Sequence, residues 1–246
     1  MKRILLSLLV FFLGWFLLAL GVSKPFLPLP VPVLGETLGL FTTGAILPHL
    51  GLSLFRVASA LVLAFIPALL IGVAAGSHGK TDRLVTPMLY LLFPVPKSAL
   101  LPIILLFFGL GNLSKIFLVA LILFFQFFLS IRDEVHNLDR RHYDSLHTLG
   151  ASRRDFLRHL ILPAILPRIF STLRLSLGTA IAVLFLAETF ATRKGLGYFI
   201  MDAWGRLEYL EMYAGILTLS LVGLLLFLMV ELAEKKFCPW VPRRNR

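Results

Sequence analysis

Residues Asp144 to Pro163 read DSLHTLGASRRDFLRHLILP, a charged, amphipathic stretch between two long apolar runs. The chain that carries it is 58% hydrophobic and 15% charged, with mean hydropathy +0.89 and 22 Phe in 246 residues. Water-soluble proteins carry about 25% charged residues. A soluble domain of this length cannot hide so much apolar surface, so the class is an all-α, polytopic integral membrane protein. The short alternating segments of a membrane β-barrel are absent from the sequence. A polar stretch kept out of lipid in such a chain is offered to a soluble partner.

Six apolar runs are long enough to span a bilayer, which takes about 20 residues as a helix. They are Ile4–Val22, Leu52–Ala75, Leu84–Leu110, Leu113–Ile131, Ile169–Phe190 and Met212–Ala233. The first begins Met1-Lys2-Arg3 and carries Ala19-Leu20-Gly21, which suits a signal-peptide cleavage site. Its length and the five runs that follow favour a retained helix.

Orientation follows from Lys and Arg. With the N-terminus inside, the inner pieces hold Lys2, Arg3, Lys80 and Arg83, seven arginines from Arg132 to Arg168, and five basic residues from Lys235 onward. The outer loops hold Lys24, Lys115, Arg193, Lys194 and Arg206. The bias places both termini and Asp144–Pro163 on the cytoplasmic side. It accounts for much of the +11 net charge without nucleic acid. One transmembrane domain is expected over 1–246: a first helix and outer connection (1–49), a core (50–235) and a basic tail (236–246).

In the outer connection Ser23–Gly51, the run Pro25–Pro32 is expected to be non-helical and to lie along the membrane surface, because proline fixes φ and lacks a donor. Thr192–Glu211, with Gly195-Leu-Gly197-Tyr198, suits a short interfacial or re-entrant element. No internal repeat is evident, which gives an inverted-repeat secondary transporter no support.

From Arg141 the polar segment reads as a helix, with Ser145, Leu146, Leu149, Phe156 and Leu160 at roughly helical spacing. Arg140, His147, Arg154, Asp155 and Arg158 lie opposite. Gly150 interrupts it, since mid-helix glycine costs about 1 kcal/mol relative to Ala. Pro163 and Pro167 are expected to end it before the fifth span. On periodicity alone, a solvated helix held at the headgroups is as good a reading as a docking element.

The spacing adds a resemblance. Asp144, Ser145, Leu146, Gly150, Leu160, Leu162 and Pro163 match in every interval the "EAA" loop of binding-protein-dependent ABC importer permeases. Asp144 stands for Glu, and Ser145-Leu146 for Ala-Ala. Pro94-Val-Pro96-Lys97-Ser-Ala-Leu-Leu-Pro102, Phe107-Phe-Gly-Leu-Gly111, His147–Arg153, Ile161–Pro167, Leu173-Arg174-Leu175, Glu188 and Gly195–Tyr198 extend the likeness. In order, they resemble the nitrate/sulfonate/taurine-type permeases.

The resemblance implies a six-helix type I importer fold with a coupling helix between helices 4 and 5. It docks a cytoplasmic ATPase through Asp144, Ser145, Leu146, His147, Gly150, Ala151, Arg153, Arg154 and Pro163. It further implies a permease homodimer, two ATPase subunits, an extracytoplasmic solute-binding protein and a bacterial-type inner membrane. The sequence contains no GxxxxGK[ST] phosphate loop, so ATP and Mg belong to the ATPase, and this chain carries no cofactor and performs no catalysis. The implied cargo is a small anion or small organic solute, such as a sulfonate, nitrate or a vitamin precursor.

Several residues in the spans carry charge at a cost, and such groups face cavities or partners. Lys97, between Pro96 and Pro102 where the third helix must kink, either lines the path or snorkels to the interface. Arg174 has the same two readings. Glu188 either serves an outer gate or pairs with a helix terminus. Arg56 is expected to snorkel. His136, His142, His147 and His159 lack metal-ligand spacing, and a single cysteine, Cys238, provides neither disulfide nor metal framework. Ser7, Ser53 and Ser171 lack a partnered His base, so an intramembrane hydrolase has little support. The rival class is a gradient-driven transporter or channel, which needs paired intramembrane carboxylates.

Overall fold

A computed structural model describes residues 2–190 and 192–240. The side chains of Lys2, Arg3, Ser7 and Arg140, and tail residues 241–246 with Arg243, Arg244 and Arg246, lie outside the described residues. Helices run α1 (Lys2–Val22), α2 (Pro30–Thr42), α3 (Leu47–Ser77), α4 (Gly79–Leu92), α5 (Leu101–Phe108) and α6 (Asn112–His136). They continue as α7 (Arg140–Thr148), α8 (Arg153–Phe156), α9 (Leu162–Thr189), α10 (Leu196–Gly205) and α11 (Tyr209–Phe237). Among the described residues, four continuous helices are long and apolar enough to cross a bilayer: Leu47–Ser77, Asn112–His136, Arg153–Thr189 and Tyr209–Phe237. The pair Gly79–Leu92 and Lys97–Phe108 makes a fifth if it counts as one span.

Two compact units form, Met1–Phe55 with Phe185–Val222, and Arg56–Leu184 with Gly223–Arg246. In the first, Leu40, Ile46, Leu196, Phe199 and Ala214 make a small buried core. Trp15 Nε1 donates to the Pro28 carbonyl at 3.1 Å and its ring stacks on Tyr213. The proline run is only partly irregular. Pro30 opens α2 and Pro32 lies in its first turn, whose N–H groups have no intrahelical acceptor in any case. The expectation of a non-helical Pro25–Pro32 therefore fails at its C-terminal end.

The second unit is built on α3 against α6. Ala60, Ala64, Ala68, Gly72 and Gly76 recur every fourth residue and so line one face of α3. The three alanines share the buried core with Leu123, Phe127, Phe128 and Ile131 of α6. A methyl on Gly76 would stand 2.6 Å from Val135 Cβ and 2.8 Å from the Arg132 carbonyl oxygen. Small side chains allow this approach of two backbones, the usual device of helix pairs in lipid. Near the other end of α3, Arg56 is not a snorkelling side chain. It is 3% exposed, and Nε and Nη2 donate to Asn112 Oδ1 at 3.1 and 2.8 Å. Lys115, expected in an outer loop, is likewise buried within α6, with Nζ 2.6 Å from the Leu110 carbonyl.

Two proline pairs behave differently. The third expected span is broken: the chain bends by 80° after Leu92 and restarts as a 3₁₀ turn, Lys97–Leu100. Pro94 and Pro96 cannot donate, which leaves carbonyls at the α4 C-terminus without helical partners. Pro163 and Pro167, by contrast, end nothing. A π turn, Leu157–Ile161, joins α8 to α9, with the Leu162 N–H reaching the Leu157 carbonyl. One helix thus runs from Arg153 to Thr189. A wide turn just ahead of Pro163 is the kind of local adjustment that keeps a proline inside a membrane helix.

Gly76→Val should destabilise the chain by about 1–3 kcal/mol through overpacking against α6, while Gly79→Ala, where a methyl meets open space, should be neutral. Thermal unfolding of the purified protein in detergent checks both.

Candidate functional site

The loop from Asp139 to Pro163 is a helix–turn–helix whose every joint has a local cause. The Asp139 carboxylate caps α7 by accepting from the Arg141 N–H at 3.0 Å. At the far end Gly150 has φ +71°. The Gly150 N–H donates to the His147 carbonyl at 3.0 Å and the Ala151 N–H to the Leu146 carbonyl at 3.1 Å. Those two bonds are the Schellman pattern, which satisfies carbonyls that the helix leaves over. The left-handed turn costs any residue with a Cβ about 1–2 kcal/mol, so the spacing of the motif has glycine where the backbone needs it.

Ser152 then caps α8 in a reciprocal box with Asp155. The Ser152 N–H reaches Asp155 Oδ2 at 2.9 Å and the Asp155 N–H reaches Ser152 Oγ at 3.4 Å. Across the turn the rings of Tyr143 and Phe156 stack, 5.7 Å between centroids and 18° between planes. Burial there pushes the Tyr143 phenol up from its ordinary pKa. Asp144, Ser145, Leu146 and His147 thus lie on α7, Gly150 and Ala151 in the turn, Arg153 and Arg154 at the start of α8, and Pro163 at the start of α9. Asp144, Ser145, His147, Arg153 and Arg154 are exposed.

Leu149, expected on the anchoring face, is 81% exposed. Gly150 reverses the chain, so the apolar positions before and after it do not continue one stripe. Tyr143 is half-buried instead, against Phe156 across the turn. Its spacing of thirteen residues from Phe156 gave no helical signal, because the contact crosses a turn.

The polar residues of the spans each have a specific partner set. Lys97 Nζ donates to the carbonyls of Leu92, Phe93 and Val95 at 3.0, 2.7 and 3.3 Å and lies 4.2 Å from the Phe125 ring centroid. It therefore caps the broken end of α4, where a cation is favourable. Pro96 precedes that 3₁₀ turn and Pro102 sits in the first turn of α5. Arg174 pairs with Glu234 and lies over the Phe227 ring. Asp82 receives two bonds from Arg132, at 2.8 and 2.7 Å, tying α4 to α6.

Glu188, 1% exposed, sits at the N-terminus of α10. Its carboxylate accepts from the Gly197 N–H at 2.8 Å and from Ser53 Oγ at 2.8 Å. Ser53 Oγ in turn accepts from the Leu196 N–H at 2.9 Å. A Cβ on Gly197 would stand 2.7 Å from Glu188 Cβ and from the Phe185 carbonyl oxygen, so glycine makes the approach feasible. An anionic group at a helix N-terminus meets free N–H donors and the favourable end of the dipole. Among the described residues no three His, Cys, Asp or Glu side chains gather as a metal site.

The fold joins membrane-length helices to an exposed polar helix–turn–helix. The family model described as "Binding-protein-dependent transport system inner membrane component" matches residues 68–238. The chain belongs to that family and is a transmembrane ABC permease. It is 33% identical over 241 residues to the putative aliphatic sulfonates transport permease protein SsuC of Bacillus subtilis, covering 98% of this chain and 87% of that one. It is 32% identical to the taurine transport system permease protein TauC of Escherichia coli, covering 89% and 82%. Among solved structures, a chain of the inward-facing MetNI methionine ABC transporter superposes with TM-score 0.60 at 16% identity, covering 78% of this chain and 94% of that one. That last likeness concerns the fold alone.

Glu188→Ala should lower stability by about 1–3 kcal/mol, because the Gly197 N–H and Ser53 hydroxyl lose a buried acceptor. Scanning calorimetry or a thermal-shift assay in detergent measures it.

Proposed function

We propose that this chain forms the translocation pathway of an ATP-driven importer for a small sulfonate or related small anion or organic nutrient, and that it docks a separate ATPase through Asp144–Pro163. The observation that carries the reading is the loop's construction. Gly150 closes α7 against α8, Leu149 stands exposed at the apex, and α8 runs without interruption into α9. A helix of 37 residues is about 55 Å long. A push on the loop therefore passes into a continuous helix instead of an irregular linker. The exposed polar and basic side chains Asp144, His147, Arg153 and Arg154 suit a docking surface.

In this reading α1 and the bent pair complete six spans, 1–246 is one transmembrane domain, and both termini face the cytoplasm. Two copies of the permease, two ATPase subunits holding ATP and Mg, and an extracytoplasmic binding protein make the complex. Pro96, Lys97, Pro102 and Glu188 shape the pathway by fixing its broken and capped helix ends, and Arg174 by tying α9 to α11 through Glu234. The names of the SsuC and TauC relatives favour sulfonates as cargo. A gradient-driven transporter is the alternative, and it would work without the ATPase.

The test is reconstitution in vesicles with the ATPase and binding protein, assaying uptake of taurine and ethanesulfonate. Uptake should require ATP and the ATPase. Gly150→Pro, which cannot adopt φ +71°, should abolish uptake while the ATPase still hydrolyses ATP. Undiminished uptake by a Gly150→Pro complex, or uptake without the ATPase, would sink the coupling reading.

A further inference from the structure

Within the second unit a cavity of about 360 Å³ is lined by Phe93, Gln126, Ser130, Arg168, Thr172 and Ser176, and by Ser171 and Leu175 beside them. Its polar wall comes from α6 and α9. Ser130 Oγ bridges to Thr172 Oγ1 at 2.5 Å and accepts from Arg168 Nε at 3.1 Å. Ser176 Oγ donates to Gln126 Oε1 at 2.8 Å, and Gln126 Nε2 reaches Thr179 Oγ1 at 3.3 Å. All of these groups but Arg168 are neutral. The nearby arginines have carboxylates: Arg132 has Asp82 and Asp133, and Arg174 has Glu234. Asp133 also lines the cavity, but its Oδ1 is held by Arg132 Nη1 at 2.8 Å. Arg168 has no carboxylate partner among the described residues, and only its Nε is engaged.

Arg168 is exposed, with the Ser130 hydroxyl on Nε and the hydroxyls of Thr172, Ser171 and Ser176 lining the same cavity; a guanidinium with free terminal nitrogens in that setting is the chemistry that binds a planar or tetrahedral oxyanion. Phe93 and Leu175, the latter 78% exposed at the opening, offer an apolar wall to a short organic tail. The volume falls in the range that holds a small ligand, about 300–1,000 Å³. We infer that this cavity is a transit subsite that accepts the oxyanion group of the carried solute, with Arg168 as its charge-recognising residue. The inference rests on the transport reading above and adds a solute contact made by the permease itself.

The test uses the full complex in zwitterionic nanodiscs. Cys238 is the only cysteine, so Cys238→Ser with Ser171→Cys places a single thiol at the cavity. Its alkylation rate is measured with anionic sulfonatoethyl and cationic trimethylammonioethyl methanethiosulfonate. The anionic reagent should be favoured, and Arg168→Gln should cut that preference by about tenfold, as removing one nearby cation requires. Arg168→Lys, which keeps the charge, should retain it, and this separates lost charge from lost fold. Ethanesulfonate should slow labelling with Arg168 in place and not with Arg168→Gln.

A preference unchanged by Arg168→Gln overturns the site. Loss of the preference and of ethanesulfonate protection when phosphatidylglycerol is added assigns the site to a lipid phosphate and overturns the solute reading. Taurine uptake by the same complexes is measured in parallel in vesicles. ATP-driven uptake with an Arg168-independent labelling preference sinks this inference alone. Absence of any ATP-driven uptake overturns the transport reading instead.

Discussion

Backbone contact between α3 and α6 is the constraint on which the larger unit depends. Lipid tails are as apolar as leucine, so burial against a neighbour gains little that lipid does not already offer. Close approach gains dispersion, and it requires that side chains be small where the helices meet. Ala60, Ala64, Ala68, Gly72 and Gly76 meet that requirement at a four-residue repeat. Phe127, Phe128 and Ile131 of α6 then fill the space on either side. Once these two helices are set, Asp82 finds Arg132 and Arg56 finds Asn112, each across the same pair or its continuation.

Interruptions carry as much of the architecture as the spans. Pro94 and Pro96 leave carbonyls at the end of α4 that a nearby amine can take, and Lys97 donates to those of Leu92 and Phe93 and to Val95 just beyond. The helix stops there and turns sharply. Pro163 and Pro167 meet a π turn instead, and the helix continues. Prolines alone do not distinguish these outcomes. The difference lies in whether the freed backbone groups are satisfied by an outside donor or by a neighbouring turn.

Helix ends also hold two of the charges in the spans. Glu188 accepts from the Gly197 N–H in the first turn of α10, and Lys97 donates to the Leu92 and Phe93 carbonyls at the C-terminal end of α4. Both are local solutions to the cost of charge in an apolar surrounding. Arg168 differs: it is exposed, lines the cavity, and has a hydroxyl on Nε but no carboxylate partner among the described residues. That contrast separates a charge used for structure from one available to a ligand.

The sequence by itself determined the membrane class, most of the helical runs, the family and the position of the turn glycine. Those properties are local: apolar length, the absence of a nucleotide loop, and the intervals from Asp144 to Pro163 are read along the chain. The four-residue stripe of small residues on α3 is likewise a pattern written along the chain. Tertiary structure alone decided that Leu149 is exposed while Tyr143 meets Phe156, that Arg56 and Lys115 are buried, and which proline pair breaks its helix. Each of these depends on a partner brought in by packing or on how a freed backbone group is satisfied. Periodicity reports which face of a helix a residue occupies, but not what stands opposite it.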